Sequence, residues 1–115
     1  MQIIDKYFPD LTTKQSEQFL SLEKLYKSWN NKINLVSRKS IDRFYKIHVL
    51  HSLAISKVVS FEDNTFVLDV GTGGGFPGVP LAILFPKTNF VLLDSISKKI
   101  KVVDNIISSI KIKNI

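Results

Sequence analysis

Phe66-Val67-Leu68-Asp69-Val70-Gly71-Thr72-Gly73-Gly74-Gly75-Phe76-Pro77-Gly78 is the stretch whose reading decides the fold. Phe66-Val67-Leu68 is a short apolar run that suits a buried strand. An acid, Asp69, follows, then a glycine cluster, then Pro77 and Pro80 ahead of the apolar Leu81-Ala82-Ile83-Leu84-Phe85. Strand, glycine turn, helix: that order builds a nucleotide-type site. Glycine admits positive φ and lets a ligand approach the backbone with no Cβ in the way. The start of the following helix offers unpaired N–H groups and the positive end of its dipole. Proline suits a first helical turn, where its missing N–H has no partner to lose.

Two glycine patterns overlap here. Gly71-x-Gly73-x-Gly75, with Asp69 two residues before it, is similar to the S-adenosylmethionine loop of Rossmann-like methyltransferases. Gly73-Gly74-Gly75-Phe76-Pro77-Gly78 also fits the dinucleotide fingerprint G-x-G-x-x-G. Register favours the first. The strand should end near Val70, so Gly71 begins the turn, and Gly78 falls where the helix should already have started. A third reading is a tight turn with no ligand, yet spaced glycines weaken a structure unless something needs the room.

Outward from this stretch, 115 residues make one domain or a piece of one. With 44% hydrophobic residues the chain has material for a real core, and disorder is excluded as its overall state. There is no cysteine, hence no disulfide framework and no thiolate site. No apolar run nears the ~18 residues of a membrane span, and Met1-Gln2-Ile3-Ile4-Asp5-Lys6 is not a signal peptide. A cytoplasmic protein without a membrane partner is expected. The net charge of +6 fits a nucleic-acid partner. Of sixteen basic residues, though, only Arg38 and Arg43 are arginine, and solvated lysines are ordinary.

On the N-terminal side, Ile3, Ile4, Tyr7 and Phe8 have helical spacing and stop at Pro9. Thr12-Thr13-Lys14-Gln15 reads as a capping box. Phe19, Leu22, Tyr26, Trp29 and Ile33 then form one buried stripe on a helix of about 18 residues. Ser40 is the expected N-cap of a short helix through Ile41 and Phe44. Ile47, Leu50, Leu53, Ala54 and Val58 continue a helical stripe, with His48 and His51 three apart on one face. Two histidines with no cysteine are too few for a metal site.

On the C-terminal side, a helix from Pro80 to Phe85 stops at Pro86, and Asn89-Phe90-Val91-Leu92-Leu93 is a second buried strand ending in Asp94. That return makes a βαβ unit. Ser95 or Ser97 caps a last helix with the stripe Ile100, Val103, Ile107 and Ile110. Residues 1–60 thus form a helical segment, and residues 61–115 the first half of a Rossmann-like α/β domain. Two short strands rarely stand alone. Their open edges invite self-association, or the chain is the front part of a larger fold.

Four segments together resemble the GidB/RsmG family. They are Trp29-Asn30-Asn31-Lys32-Ile33-Asn34-Leu35, His48-Val49-Leu50-His51-Ser52-Leu53, Leu68 to Ala82 through the glycine loop, and Leu92-Leu93-Asp94-Ser95-Ile96-Ser97-Lys98-Lys99-Ile100. The family departs from this chain at His51, where it usually has an acid, and at Ile47, where it commonly has an arginine. The resemblance implies methyl transfer from S-adenosylmethionine to guanine N7 of small-subunit ribosomal RNA. It also implies that this chain is the N-terminal portion, inactive or very weak by itself. Gly71, Gly73 and Gly75 would pass close to the methionine part of the cofactor. Asp69 would steady the loop or attract the ammonium group. Phe76 would wall the cofactor or pack in the core. Asp94 would accept hydrogen bonds from the ribose, with Ser95 offering a hydroxyl or N–H nearby. Lys98, Lys99 and Lys101 meet RNA phosphates or form a solvated face. The rival functions are a dinucleotide-binding oxidoreductase and a non-catalytic RNA-binding fragment.

Overall fold

In the computed structural model, which describes residues 1–115, β1 (Phe66–Val70) and β2 (Asn89–Leu93) pair in parallel. Their register runs from Phe66 opposite Asn89 to Val70 opposite Leu93, so both strands end level with each other. The crossover between them is α5 (Gly78–Leu84). Before the sheet come α1 (Gln2–Tyr7), α2 (Thr13–Asn30) and α3 (Arg38–Ile41). A helical segment follows whose pitch changes twice: π-helical over Tyr45–Leu50, one α-turn, α4 (His51–Leu53), and a tight 3-10 stretch, Ala54–Lys57. The long α6 (Ser97–Ile110) closes the chain. No helix is long and apolar enough to cross a membrane.

The capping box opens α2 as its sequence requires. Thr12 Oγ1 accepts from Gln15 N, and Gln15 Oε1 accepts from Thr12 N. Phe19, Leu22 and Tyr26 are fully buried along this helix, while Ile33 lies beyond its end. One core joins the two halves of the chain: α2, Phe44, Val49 and Leu53 meet Val79, Ala82 and Ile83 of α5 and Val102, Val103 and Ile106 of α6.

Local expectations fail in four places. Ser37, not Ser40, is the N-cap of α3: its Oγ accepts from Ser40 N at 3.1 Å, while the Ser40 hydroxyl donates back to Ser37 O and also meets His48 Nε2. The π-helical stretch holds one residue more per turn than an α-helix should, so the buried face shifts. Phe44, Tyr45, Val49 and Leu53 go inside, whereas Ala54 is exposed and Val58 is 85% exposed. No serine caps α6; Asp94 Oδ1 accepts from Ile96 N instead. The strands are not buried on both faces. Phe66 (78%), Leu68 and Val70 of β1, with Val91 and Leu93 of β2, leave one side of the sheet bare, because the helices all pack on the other.

Tyr26 is the deepest polar group. Its hydroxyl donates to Gly74 O at 2.6 Å, and burial pushes its phenol far above the ordinary value. Tyr26→Phe leaves that carbonyl unpaired in the core. It is expected to lower unfolding stability by about 1–3 kcal/mol, measured by urea titration.

Candidate functional site

The glycine loop connects the end of β1 to α5 and is tied at both ends. Gly71 N and Thr72 N both donate to Leu93 O, at 2.7 and 3.0 Å, which fastens the loop to the end of β2. Thr72 Oγ1 donates to Asp69 Oδ2 at 2.6 Å, and Gly78 N donates to the same oxygen at 3.0 Å. Asp69 therefore clips the two ends of the loop together. Thr72 drew no attention in the sequence, although a hydroxyl three residues after a strand-end acid is the signal for such a clip.

The same contact changes the view of the helix start. Gly78 N is served by Asp69, Val79 N donates to Gly75 O, Leu81 N donates to Pro77 O, and Pro80 has no N–H. The first turn of α5 keeps no free donor for an anion, contrary to the expectation of unpaired N–H groups there.

The glycines serve two different needs. A Cβ at Gly71 (φ +72°) or Gly73 (φ +59°) would meet nothing within 4 Å. At Gly75 it would strike Tyr26 Oη at 2.8 Å, at Gly74 the carbonyl of Leu35 at 2.8 Å, and at Gly78 the Leu92 side chain at 2.7 Å. Gly71 and Gly73 thus keep space free outside the protein's own packing. Gly74, Gly75 and Gly78 are bare because the chain itself comes too close. Leu35 is held there by Asn30, whose Oδ1 accepts from Leu35 N and Val36 N.

Beside the open glycines lies a cleft of about 430 Å³ lined by Val70, Gly71, Leu93, Asp94 and Ser95. It sits outside the carboxyl ends of the two parallel strands, where open α/β sheets take their ligands. Asp94 Oδ2 accepts from Gly73 N at 2.8 Å and Oδ1 from Ile96 N at 2.9 Å. The Ile96 and Gly73 N–H groups, helped by the charge of Lys99, hold its carboxyl below the usual value. It stays an anion with lone pairs left for further donors. Ser95 is exposed on the same rim.

The structure brings Asp69, Gly71, Gly73, Asp94 and Ser95 to this end of the sheet. Gly75 and Phe76 belong elsewhere. Gly75 faces the core, and Phe76 packs into an aromatic cluster, with ring centroids 5.0 Å from Tyr26, 5.9 Å from Phe44 and 5.1 Å from His48. Lys98 and Lys101 are exposed on α6.

The family model described as rRNA small subunit methyltransferase G (GidB) matches residues 15–115. The whole chain is 60% identical to a "Ribosomal RNA small subunit methyltransferase G" of Flavobacterium johnsoniae, covering 55% of that protein. It is 61% identical to the protein of that name from Flavobacterium psychrophilum, again over 55% of it, and 57% identical to the one from Bacteroides thetaiotaomicron, over 56%. The chain thus spans about 55% of the length of these curated relatives.

Proposed function

The chain belongs to the GidB family, rRNA small subunit methyltransferase G, and from that premise we propose that it forms the donor-binding part of an S-adenosylmethionine-dependent enzyme methylating guanine N7 in small-subunit ribosomal RNA. In this reading residues 61–115 are the first half of a Rossmann-like methyltransferase domain, and residues 1–60 are the helical segment beside it. The division is one of role, since both share a core. The setting is cytoplasmic. In the chain by itself, the bare apolar face and open strand edges favour self-association.

One observation carries the choice of donor. The start of α5 has no free N–H group, and the position a dinucleotide's pyrophosphate would approach, Gly75, faces Tyr26, Val79 and Val103. A pyrophosphate needs such donors. A sulfonium donor does not. Gly78 does play the close-packing part of the dinucleotide fingerprint, against Leu92, but the anion site that goes with it is filled.

When bound, S-adenosylmethionine would supply a methyl already activated on positive sulfur; its transfer to the in-plane lone pair of guanine N7 would leave the C–S electron pair on sulfur and release no proton. The chain then needs no general base. Its work is alignment, which contributes roughly 7–11 kcal/mol when reactants are held in near-attack geometry. Gly71 and Gly73 leave room for the donor's methionine part. Asp69 sets the loop from behind and, with Oδ2 already holding both loop ends, acts as the brace. Asp94 fixes Gly73 and offers its remaining lone pairs to the ribose hydroxyls, and Ser95 adds a hydroxyl at the rim. Gly75 and Phe76 support the loop through the core.

Calorimetry of a protein of the relatives' full length carrying this chain should show binding of S-adenosylhomocysteine and none of NADH. The reverse result would end this reading. Asp94→Asn presents an amide N–H₂ to one of two backbone donors, so S-adenosylhomocysteine affinity should fall roughly 10–100-fold. An unchanged affinity would remove Asp94 from the site.

A further inference from the structure

A second cavity, about 320 Å³, opens beside the glycine loop against the helical segment. Phe76 and Pro77 line it from the loop, and Ile47, His48, His51, Ser52 and Ile55 line it from the helices. The rings of His48 and Phe76 lie 5.1 Å apart and 36° from parallel. His48 Nε2 lies 2.8 Å from Ser40 Oγ, so the imidazole is held in one orientation. His48 falls within the π-helical stretch and His51 just after it, and such stretches gather at functional sites.

The segment leading into this cavity is strongly basic. Between residues 32 and 46 stand Lys32, Arg38, Lys39, Arg43 and Lys46 against a single acid, Asp42. All five cations are exposed, and none is in an ion pair. Both arginines of the chain fall here, on or next to α3, whose Ser40 holds His48. Arg43 lies one turn before Ile47 of the cavity wall and accepts its N–H at the backbone. Arginine is the side chain that grips phosphate in a fixed fork.

We propose that this cavity receives the acceptor nucleobase, turned out of its RNA strand and laid against Phe76 and His48, while Arg38 and Arg43 hold the adjoining phosphates. The inference rests on the methyltransferase reading. It adds where the substrate sits, which the donor cleft at Asp94 does not say. An unstacked base is recognised by stacking on aromatic rings and hydrogen bonds at its edges, and the cavity offers both kinds of wall. Charge fits as well. Methylation at N7 makes the base a cation, and the ring beside it should be neutral. Burial first, and then the charge of His51, lower the pKa of His48, which favours the neutral imidazole.

The test uses the full-length protein carrying this chain, with small-subunit ribosomal RNA as substrate. Ile55→Trp fills the cavity without touching the cleft. It should cut kcat/KM for RNA at least 100-fold while S-adenosylhomocysteine affinity stays within twofold. The double variant Arg38→Ala/Arg43→Ala should raise the RNA KM at least tenfold and flatten the slope of log affinity against log salt by roughly 1.4–1.8, the release expected for two phosphates. Retained S-adenosylhomocysteine binding also certifies the fold of each variant; should Ile55→Trp lose it, the arginine pair decides. Parental methylation by a folded Ile55→Trp protein, or an unchanged salt slope in the arginine variant, would overturn the proposal. Failure of the unsubstituted protein to bind S-adenosylhomocysteine would overturn the methyltransferase reading, and the cavity's role with it.

Discussion

Gly75→Ala is expected to remove most of the protein's stability, although it adds a single methyl group. The residue sits at φ +100°, where an L side chain is strained, at a cost of roughly 1–3 kcal/mol. The new Cβ would lie 2.8 Å from Tyr26 Oη, 2.9 Å from Val79 Cγ2 and 3.2 Å from Val103 Cγ1. None of these has room to retreat. Tyr26 is fully buried and pinned by its bond to Gly74 O; Val79 and Val103 are core residues on two other helices. Overpacking of this kind costs about 1–3 kcal/mol more. Together these approach the ~5–15 kcal/mol that holds a typical domain folded. Urea unfolding measures it, with Gly71→Ala as control, where only the backbone strain of ~1–2 kcal/mol applies because nothing lies within 4 Å. A double-mutant cycle sharpens the cause. Tyr26→Phe removes the oxygen that the methyl strikes, so the pair should cost less than the sum of its parts. Additivity, or a Gly75→Ala protein as stable as Gly71→Ala, would show that the loop is not seated on Tyr26.

The contrast between these two glycines marks where reading residues in order stops being enough. What depends on neighbours a few positions away was legible: the capping box at Thr12, the ends of both strands, the turn beginning at Gly71, the acid closing β2. The spacing of the glycines, with the acids at Asp69 and Asp94, was enough to mark the end of the sheet where the open cleft lies. It could not sort them. Gly75 is bare because of a tyrosine on α2, far back in the chain, and no local pattern announces that contact. Phe76 was ambiguous for the same reason: its direction is set by Tyr26, Phe44 and His48, all from the helical segment. The stripe from Ile47 to Val58 failed differently. Its spacing assumed an α-helical pitch, and the π-helical turn moved the buried face by one residue, which also turned His48 and His51 toward a shared cavity. Strands rich in apolar residues promised burial on both sides, but burial needs a second layer, and composition carries no information about which layers pack.

Gly73→Val should do the opposite of Gly75→Ala: spare the fold and abolish donor binding. A β-branched residue at φ +59° is strained by ~1–2 kcal/mol, a tolerable loss for a folded domain. The new Cβ meets nothing within 4 Å, and the Gly73 N–H that donates to Asp94 is still present after the substitution. If the space were merely solvent, S-adenosylhomocysteine affinity would change only as far as the strain is transmitted. In the proposed site that space belongs to the donor, which the valine methyls would displace. Affinity should therefore fall at least 100-fold by calorimetry, with the unfolding midpoint only modestly lower. Gly73→Ala, one methyl instead of three carbons, should fall between. The two glycines then separate cleanly: one variant loses most of its stability but not its affinity per folded molecule, the other loses its affinity at only a modest cost in stability. Tight binding by a folded Gly73→Val protein would place the donor elsewhere and leave the loop as no more than a turn between β1 and α5.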